Sequence, residues 1–326
     1  MKAIVCRQFG GPEVLELADV AEPAAGEGQV VVDVRACAVT FPDLLIMHDL
    51  YQYKPGLPYI PGGEVAGVVR SVGLGVHQFD AGDLVMGSAG SVGGFAERVA
   101  LPASHVSAVP DGSPLEEAAG LLYAYGTSHH ALRDRAALRP GETLLVLGAA
   151  GGVGLAAVEL GRLMGARVIA AASSDDKLEL CKQRGADETI NYSRDDLKTA
   201  ARALTGGAGA DVVYDPVGGK YAEPALRATA WQGRYLVIGF TAGEIPRLPT
   251  NLALLRGCSI VGVYWGSFIQ RQPEDNRRNV AELTEWWRAG RLKPYVSAIY
   301  PLERAPDALR DLAARRTVGK VVVTVG

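Results

Sequence analysis

Cysteine is scarce and not placed for pairing. The 326-residue chain has four, Cys6, Cys37, Cys181 and Cys258, scattered with no paired spacing. That excludes a disulfide framework and a cysteine-based zinc cluster, and it points to reduced, mostly buried thiols of a cytoplasmic protein. An excess of either charge is also missing: 33 Lys and Arg stand against 36 Asp and Glu, a net charge of −3. No basic stretch interleaved with aromatics occurs, so neither nucleic acid nor an anionic membrane is expected as a partner. No apolar run is long enough to span a bilayer, and residues 1–7 read as a strand, too short for the apolar region of a signal peptide. Internal repeats and low-complexity tracts are absent. Histidine occurs five times, and its one pair, His129-His130, is adjacent in sequence. Consecutive helical residues face different ways, so no metal site is expected there. What remains is ordinary globular composition, 48% hydrophobic and 21% charged, in a length that calls for about two domains.

The most informative stretch that is present is segment 143–154, Thr-Leu-Leu-Val-Leu-Gly-Ala-Ala-Gly-Gly-Val-Gly. An apolar run ends in a glycine-rich turn, an amphipathic stretch follows over 155–164, and a second apolar run lies at 167–172. Strand, turn, helix and strand in that order place a dinucleotide pyrophosphate on a helix N-terminus. The cofactor-binding turn is expected over Ala150, Gly151, Gly152, Val153 and Gly154. Gly151 allows close backbone approach, first-turn N–H groups face the phosphates, and Gly154 lets the helix lie on the strand. Ala149 stands where the usual fingerprint has its first glycine, so the match is to a relaxed variant.

Residues 1 to about 120 carry short apolar runs at 29–35, 64–69 and 83–86, separated by glycine- and proline-rich turns. They predict an all-β region, a compact barrel or sandwich. Near 114 the pattern changes, with Ser113 as a helix cap and Pro114 at the first helical position. Helices and strands then alternate, with strands expected at 210–215, 233–239 and 259–263, which implies a doubly wound parallel sheet. The tail holds a helix with Trp286-Trp287, a helix near 305–315, and a final strand at 319–324 that returns to the β region.

An NAD site normally has an acid at the end of its second strand to bind the ribose hydroxyls. Here Ser173-Ser174 occupy that place, Lys177 follows one helical turn on, and Tyr192 lies just past the next strand. Hydroxyls and an ammonium suit a 2′-phosphate, so NADPH is the expected cofactor. Asp175 and Asp176, at the helix start, are expected to point away.

Taken with the motifs at 58–67, 149–154, 185–192, 211–218 and 319–323, the chain resembles the medium-chain dehydrogenase/reductase superfamily, and within it the zinc-free NADPH:quinone oxidoreductases of the zeta-crystallin type. The resemblance implies an α/β protein with a GroES-like β-barrel catalytic domain at 1–122, a Rossmann NADPH-binding domain at 123–263, and a return to the catalytic domain over 264–326. It puts Thr40, Gly63 and Tyr123 where zinc-dependent relatives have metal ligands, and none of the three is a plausible zinc ligand. It makes Tyr51 and Thr40 the candidate catalytic residues. Tyr51 helps bind cofactor or substrate, or donates a proton and stabilises charge on the reduced acceptor, or is only an apolar wall or cofactor contact. Asp43 is read as ordering the local loop in preference to acid–base work. Asp49 replaces a glycine just before the tyrosine. Thr127, Val217, Gly218, Gly239, Phe240, Tyr264, Trp265 and Lys320 become candidate cofactor contacts. For Trp265 packing is at least as good a reading, and for Lys320 the alternative is solvated edge protection. The substrate crevice is expected between the two domains.

The expected activity is NADPH-dependent reduction of a quinone by hydride or one-electron transfer, without metal. One alternative is reduction of an alkenal or enoyl/acryloyl-CoA C=C bond, with Arg271, Arg277 and Arg278 as a patch for the CoA phosphates. Another is a non-enzymatic NADPH-binding or RNA-associated protein. A homodimer paired through the edge strand at 259–263 is also implied.

Overall fold

The computed structural model describes all 326 residues, which fall into two units: residues 1–123 with 293–326, and residues 124–292. The first is β-rich. Its N-terminal part holds β1 (Lys2–Cys6), β2 (Leu15–Asp19), β3 (Gln29–Val39), β4 (Glu64–Val72), β5 (Leu84–Ser88), β6 (Arg98–Pro102) and β7 (Val106–Ala108). α1 (Phe41–Met47) follows β3, and α2 (Leu115–Ala118) comes after β7. The last of these helices starts one residue later than the proline predicts. Ser113 donates its N–H to Pro110 and so belongs to the preceding turn, leaving Pro114 extended at the cap.

The second unit alternates helix and strand. Its strands are β8 (Thr143–Leu147), β9 (Arg167–Ala172), β10 (Glu188–Asn191), β11 (Ala210–Asp215), β12 (Thr229–Val237) and β13 (Ser259–Gly262). Its helices are α3 (Leu122–His129, entered from the first unit), α4 (Gly152–Leu163), α5 (Asp175–Gln183), α6 (Leu197–Leu204), α7 (Ala222–Arg227), α8 (Asn251–Arg256), α9 (Trp265–Arg271) and α10 (Pro273–Arg288). The six strands form one parallel sheet in the order β10-β9-β8-β11-β12-β13. The chain builds outward from β8 to β10, then crosses back to β11. That reversal makes the β8/β11 boundary the switch point beside which such sheets bind ligands. Leu144, Leu145, Val146 and Leu147 on β8 and Val168, Ile169, Ala170 and Ala171 on β9 are all fully buried, as strands covered on both faces must be. Each large aliphatic side chain removed from water this way contributes about 1.5–3 kcal/mol.

Strands β9 and β11 lie where their apolar runs place them. β12 starts four residues before the expected 233. Gln232, at φ 59, breaks the alternation from which the start would be read, and the β11–β12 register shifts between Ala210 and Val212.

The expected return to the β-rich unit at 264 is corrected. Residues 264–292 stay with the second unit because α9 and α10 bury their apolar sides there, through Trp265, Phe268, Val280, Leu283 and Trp287. Phe268 stacks on His130 with ring centroids 3.8 Å apart, Glu282 meets His129 Nε2 at 2.9 Å, and Asn279 donates to Asp134 at 2.8 Å. Both histidines of the pair are thereby engaged in packing contacts.

The β-rich unit resumes at Lys293 with β14 (Val296–Pro301), α11 (Ala305–Ala313) and β15 (Lys320–Thr324). Its main sheet runs β14-β15-β3-β4-β5-β7, with β6 also paired to β3, and β1 and β2 form a separate antiparallel pair. β3 is long enough to serve two partners on one side: residues 29–33 pair with β6, and residues 36–39 with β15. Its core draws on Ile4, Val32, Val65, Phe95, Leu101, Leu309 and Val323, all buried. β15 is an interior strand, so Lys320 does not protect an edge; its side chain is buried. No helix is long and apolar enough to cross a membrane.

Candidate functional site

The glycine turn of the second unit is built as its sequence demands. Gly151 caps α4 in an extended conformation, and no side chain caps the helix. The N–H groups of its first turn therefore have no intrahelical acceptor, which is the arrangement that binds a phosphate. A Cβ on Gly154 would lie 2.2 Å from the Gly148 carbonyl oxygen and 2.9 Å from the Ala149 Cα, so only hydrogen fits there. The left-handed residue of the turn is Gly148, at φ 56. This explains the relaxed fingerprint: the glycine that makes the bend precedes Ala149, which is buried and needs no special backbone. Ala150 is buried beneath the turn, while Gly151, Gly152 and Val153 are at least partly accessible.

At the neighbouring strand ends, Ser173 is exposed after β9, and Ser174 caps α5 without bonding the helix through its hydroxyl. Lys177 is half-buried one turn on. β10 pairs with β9 through Asn191 opposite Ala172, which sets Tyr192 beside the serines. Asp175, an acid at the start of α5 close to the serines, is committed elsewhere. It accepts from Asn191 Nδ2 at 2.9 Å and meets Arg194 at 3.2 Å, and these bonds hold its carboxyl below the usual carboxylate range. Sequence reasoning missed Tyr221, whose ring packs on Tyr192 with centroids 4.4 Å apart, and Lys220, whose Nζ lies 5.2 Å from the Tyr221 centroid. Nothing local links position 192 to position 221, so no sequence pattern signals the pair.

After β11, the N–H groups of Val217 and Gly218 donate to Asp215 Oδ1 at 2.7 and 2.9 Å, which fixes the loop through an internal carboxylate. Gly218 is left-handed at φ 67, and a Cβ there would meet the Phe240 ring at 2.9 Å. The loops following β11 and β12 are thus packed together, with Gly239 donating weakly to the Asp215 carbonyl at 3.4 Å. Trp265 is buried with its indole laid on Gly126, beside the half-buried Thr127. Tyr264 is half-exposed.

In the β-rich unit, α1 and the ends of β3, β4 and β5 gather a buried polar cluster. Thr40 precedes α1, and Asp43 Oδ2 accepts from its N–H at 2.7 Å and its hydroxyl at 2.6 Å. Asp43 Oδ1 accepts from the Gly62 N–H at 3.1 Å, tying α1 to the turn before β4. Asp43 therefore orders the loop, and the Thr40 proton is directed at it. Burial raises the Asp43 carboxyl above the ordinary range, offset by those hydrogen bonds and by Lys320. Glu64, with no exposed surface, accepts from the Tyr123 N–H at 2.9 Å and from Lys320 Nζ at 3.1 Å. Burial raises its carboxyl too, against the pull of Lys320.

The Tyr123 hydroxyl donates to the Gly90 carbonyl at 2.7 Å and lies 3.4 Å from Ser88 Oγ. A Cβ on Gly63 would come within 2.5 Å of that hydroxyl, so the phenol occupies the room a side chain at 63 would need. Burial raises the Tyr123 phenol, and Glu64, Asp43 and the neighbouring Tyr51 act in the same direction. Tyr51 is half-buried on a loop against the core of the unit. Asp49, just before it, is left-handed at φ 55, a conformation that glycine adopts freely and Asp tolerates better than most residues.

Positions 40, 63 and 123 thus offer a threonine hydroxyl, a bare backbone and a hydrogen-bonded phenol. No group of three or more His, Cys, Asp or Glu is placed to hold a metal ion. The donor set does not fit zinc.

A β-rich unit interrupted by a parallel nucleotide-binding sheet is the architecture of the medium-chain dehydrogenases and reductases. Sequence models agree: an alcohol dehydrogenase GroES-like domain matches residues 26–111, and a zinc-binding dehydrogenase domain matches residues 152–285. The chain is 39% identical to a quinone oxidoreductase-like protein 2 homolog of Nematostella vectensis, over 99% of this chain and 88% of that one. Among solved structures it is similar to a quinone oxidoreductase of Pseudomonas syringae pv. Tomato (33% identity, TM-score 0.93, 99% of each chain). It is similar also to the Escherichia coli quinone oxidoreductase complexed with NADPH (28% identity, TM-score 0.93, 99% of this chain and 100% of that one). The chain belongs to the zinc-independent, zeta-crystallin-like quinone oxidoreductase family.

Proposed function

We propose that this chain is an NADPH-dependent reductase of quinones that works without a metal. The observation that carries the reading is the 151–154 turn opening α4, with Ser173, Ser174, Lys177 and Tyr192 at the ends of β9 and β10 and Asp175 tied away, in a chain similar to quinone oxidoreductases. The turn would hold the pyrophosphate, and the serines, Lys177 and Tyr192 the 2′-phosphate. Thr127, Val217, Gly239, Phe240 and Tyr264 would line the remainder of the dinucleotide, and Lys320 acts through Glu64. When bound, the reduced nicotinamide supplies the reducing equivalents. The chain's own task is to orient the acceptor, exclude water and stabilise the oxygen on which charge develops, with Tyr51 as the phenol nearest that task and Thr40 fixing its surroundings.

The test compares NADPH and NADH oxidation with 1,4-benzoquinone, a 2-alkenal and acryloyl-CoA. Turnover fastest with benzoquinone is expected. Fastest turnover with the thioester would favour the C=C alternative, although Arg277 and Arg278 pair with Glu274 and Asp275 on their own helix rather than forming a phosphate patch. Negligible rates with all three would favour a non-enzymatic dinucleotide-binding protein. Lys177→Ala should weaken NADPH by roughly tenfold or more, the loss of a charge-assisted bond, and leave NADH nearly unchanged; equal losses for both would refute the phosphate assignment.

We further propose a homodimer formed across β13. That strand is the sheet's end, pairs only with β12, and leaves Ile260 40% exposed. Light scattering should give twice the chain mass, and a monomer at micromolar concentration would remove the claim. The partners of this reading are a small-molecule acceptor and a second copy, with no nucleic acid.

A further inference from the structure

The acceptor that the β-rich unit must orient carries a carbonyl oxygen, and Tyr51 has been its only assigned polar contact. A second phenol lies beside it. The Tyr123 backbone is anchored by its N–H to the buried Glu64, and Glu64 is held by Lys320, so the residue is fixed from the interior. Its hydroxyl emerges at the side of Gly63, in space kept open because position 63 has no side chain. One polar neighbour, Ser88 Oγ, is buried, and the other, the Gly90 carbonyl, belongs to a turn after β5. With no metal-binding side chain at 40, 63 or 123, polarising an acceptor oxygen here falls to a hydrogen-bond donor.

We propose that the Tyr123 hydroxyl is that donor: it binds the carbonyl oxygen of the acceptor, with Tyr51 on the adjoining side. The inference rests on the reductase reading and adds to it a second residue that touches substrate. A phenol has one proton. In this structure it points to the Gly90 carbonyl, and turning it to a bound oxygen exchanges one hydrogen bond for another while water takes over at Gly90. Burial and the nearby carboxylates keep the phenol protonated, so Tyr123 holds its proton and acts as a neutral donor.

The experiment uses full-length protein, NADPH and 1,4-benzoquinone. It compares wild type, Tyr123→Phe, Gly63→Ala and protein with fluorotyrosine at 123. Gly63→Ala keeps the phenol but places a Cβ 2.5 Å from its oxygen, so the hydroxyl must move. Both substitutions should lower kcat/KM for benzoquinone by about 100-fold, as loss of one preorganised donor does, while NADPH affinity, read by fluorescence, changes less than about twofold. Fluorotyrosine, a stronger acid, should move the alkaline limb of the pH profile to lower pH, which a merely structural phenol would not do. If Tyr123→Phe keeps kcat/KM within about threefold of wild type, the inference is overturned and the reductase reading stands. Should wild type itself bind NADPH yet reduce nothing, the reading fails and takes the inference with it. If Tyr123→Phe does not fold, the Gly63→Ala and fluorotyrosine proteins decide, and an unchanged rate and pH profile in both would overturn the proposal.

Discussion

Replacing Lys320 by alanine is expected to lower stability by about 3–5 kcal/mol, the cost of leaving a buried charge without its partner. The thermal midpoint should fall by on the order of 10 °C. Glu64 is completely buried, its Oε2 lies 3.1 Å from Lys320 Nζ, and no other cation pairs with it. Its hydrogen bonds from the backbone of Tyr123 and Leu122 do not neutralise it. The loss should depend on pH with a definite sign. Glu64 in the folded protein binds its proton more tightly than at the ordinary 4.5, because burial outweighs Lys320. Removing the lysine strengthens that effect. A raised carboxyl contributes stability that is present below the unfolded value and lost as pH rises through the folded one. The variant should therefore regain stability relative to wild type as pH falls toward 4.5, the reference value for the unfolded chain. Glu64→Gln combined with Lys320→Ala should be milder than Lys320→Ala alone, since the amide still accepts from Tyr123. Denaturant titration of the three variants checks this, and a loss below about 1 kcal/mol for the single variant would show that Glu64 finds another partner or water.

Gly154→Ala should abolish measurable dinucleotide binding, a loss of about 100-fold or more, from the smallest possible side-chain change. The added carbon would sit 2.2 Å from the Gly148 carbonyl and 2.9 Å from the Ala149 Cα, both backbone atoms that no rotamer change can move aside. α4 must then lift from β8, and the first-turn N–H groups leave the position where a pyrophosphate is bound. Overpacking of this kind costs about 1–3 kcal/mol in stability as well. Gly151→Ala is a control for the fold alone, since Gly151 itself lies on the proposed phosphate-binding turn. It has open space apart from the Gly148 carbonyl at 3.4 Å, an ordinary contact, so the fold should tolerate it. Calorimetric titration with NADPH and NADH reads both variants. Binding by Gly154→Ala within tenfold of wild type would mean that the phosphates do not lie on this turn.

The parts of this architecture legible in the sequence are those encoded within about thirty consecutive residues. Segment 143–172 shows its strand, turn, helix and strand because buried parallel strands are uninterrupted apolar runs and the intervening helix keeps its 3.6-residue period. The start of α4 was less clear, since Gly152 and Gly154 carry no periodic signal. The start of β12 was hidden by the left-handed Gln232. What no local pattern could reveal is the polar cluster of the β-rich unit. Thr40 and Asp43 are near neighbours, but Tyr123 meets Glu64 across 59 residues, and Lys320 meets it across 256. A lysine ahead of a valine run reads as an exposed strand end, and only the position of β15 between β14 and β3 turns it inward. The segment 264–292 went astray for a related reason: its amphipathic helices announce that they need a core, not which one.

The pairing of β15 with β3, Val321 opposite Val39, closes the β-rich unit across nearly the whole polypeptide. During synthesis, residues 124–292 leave the ribosome before that closing strand exists, and they contain a complete sheet of their own. The interrupting unit can thus mature while its host waits, holding β3 with one of its partners still unmade. Glu64 gains its lysine only once β15 has been made, so the polar cluster cannot be complete before that strand joins β3.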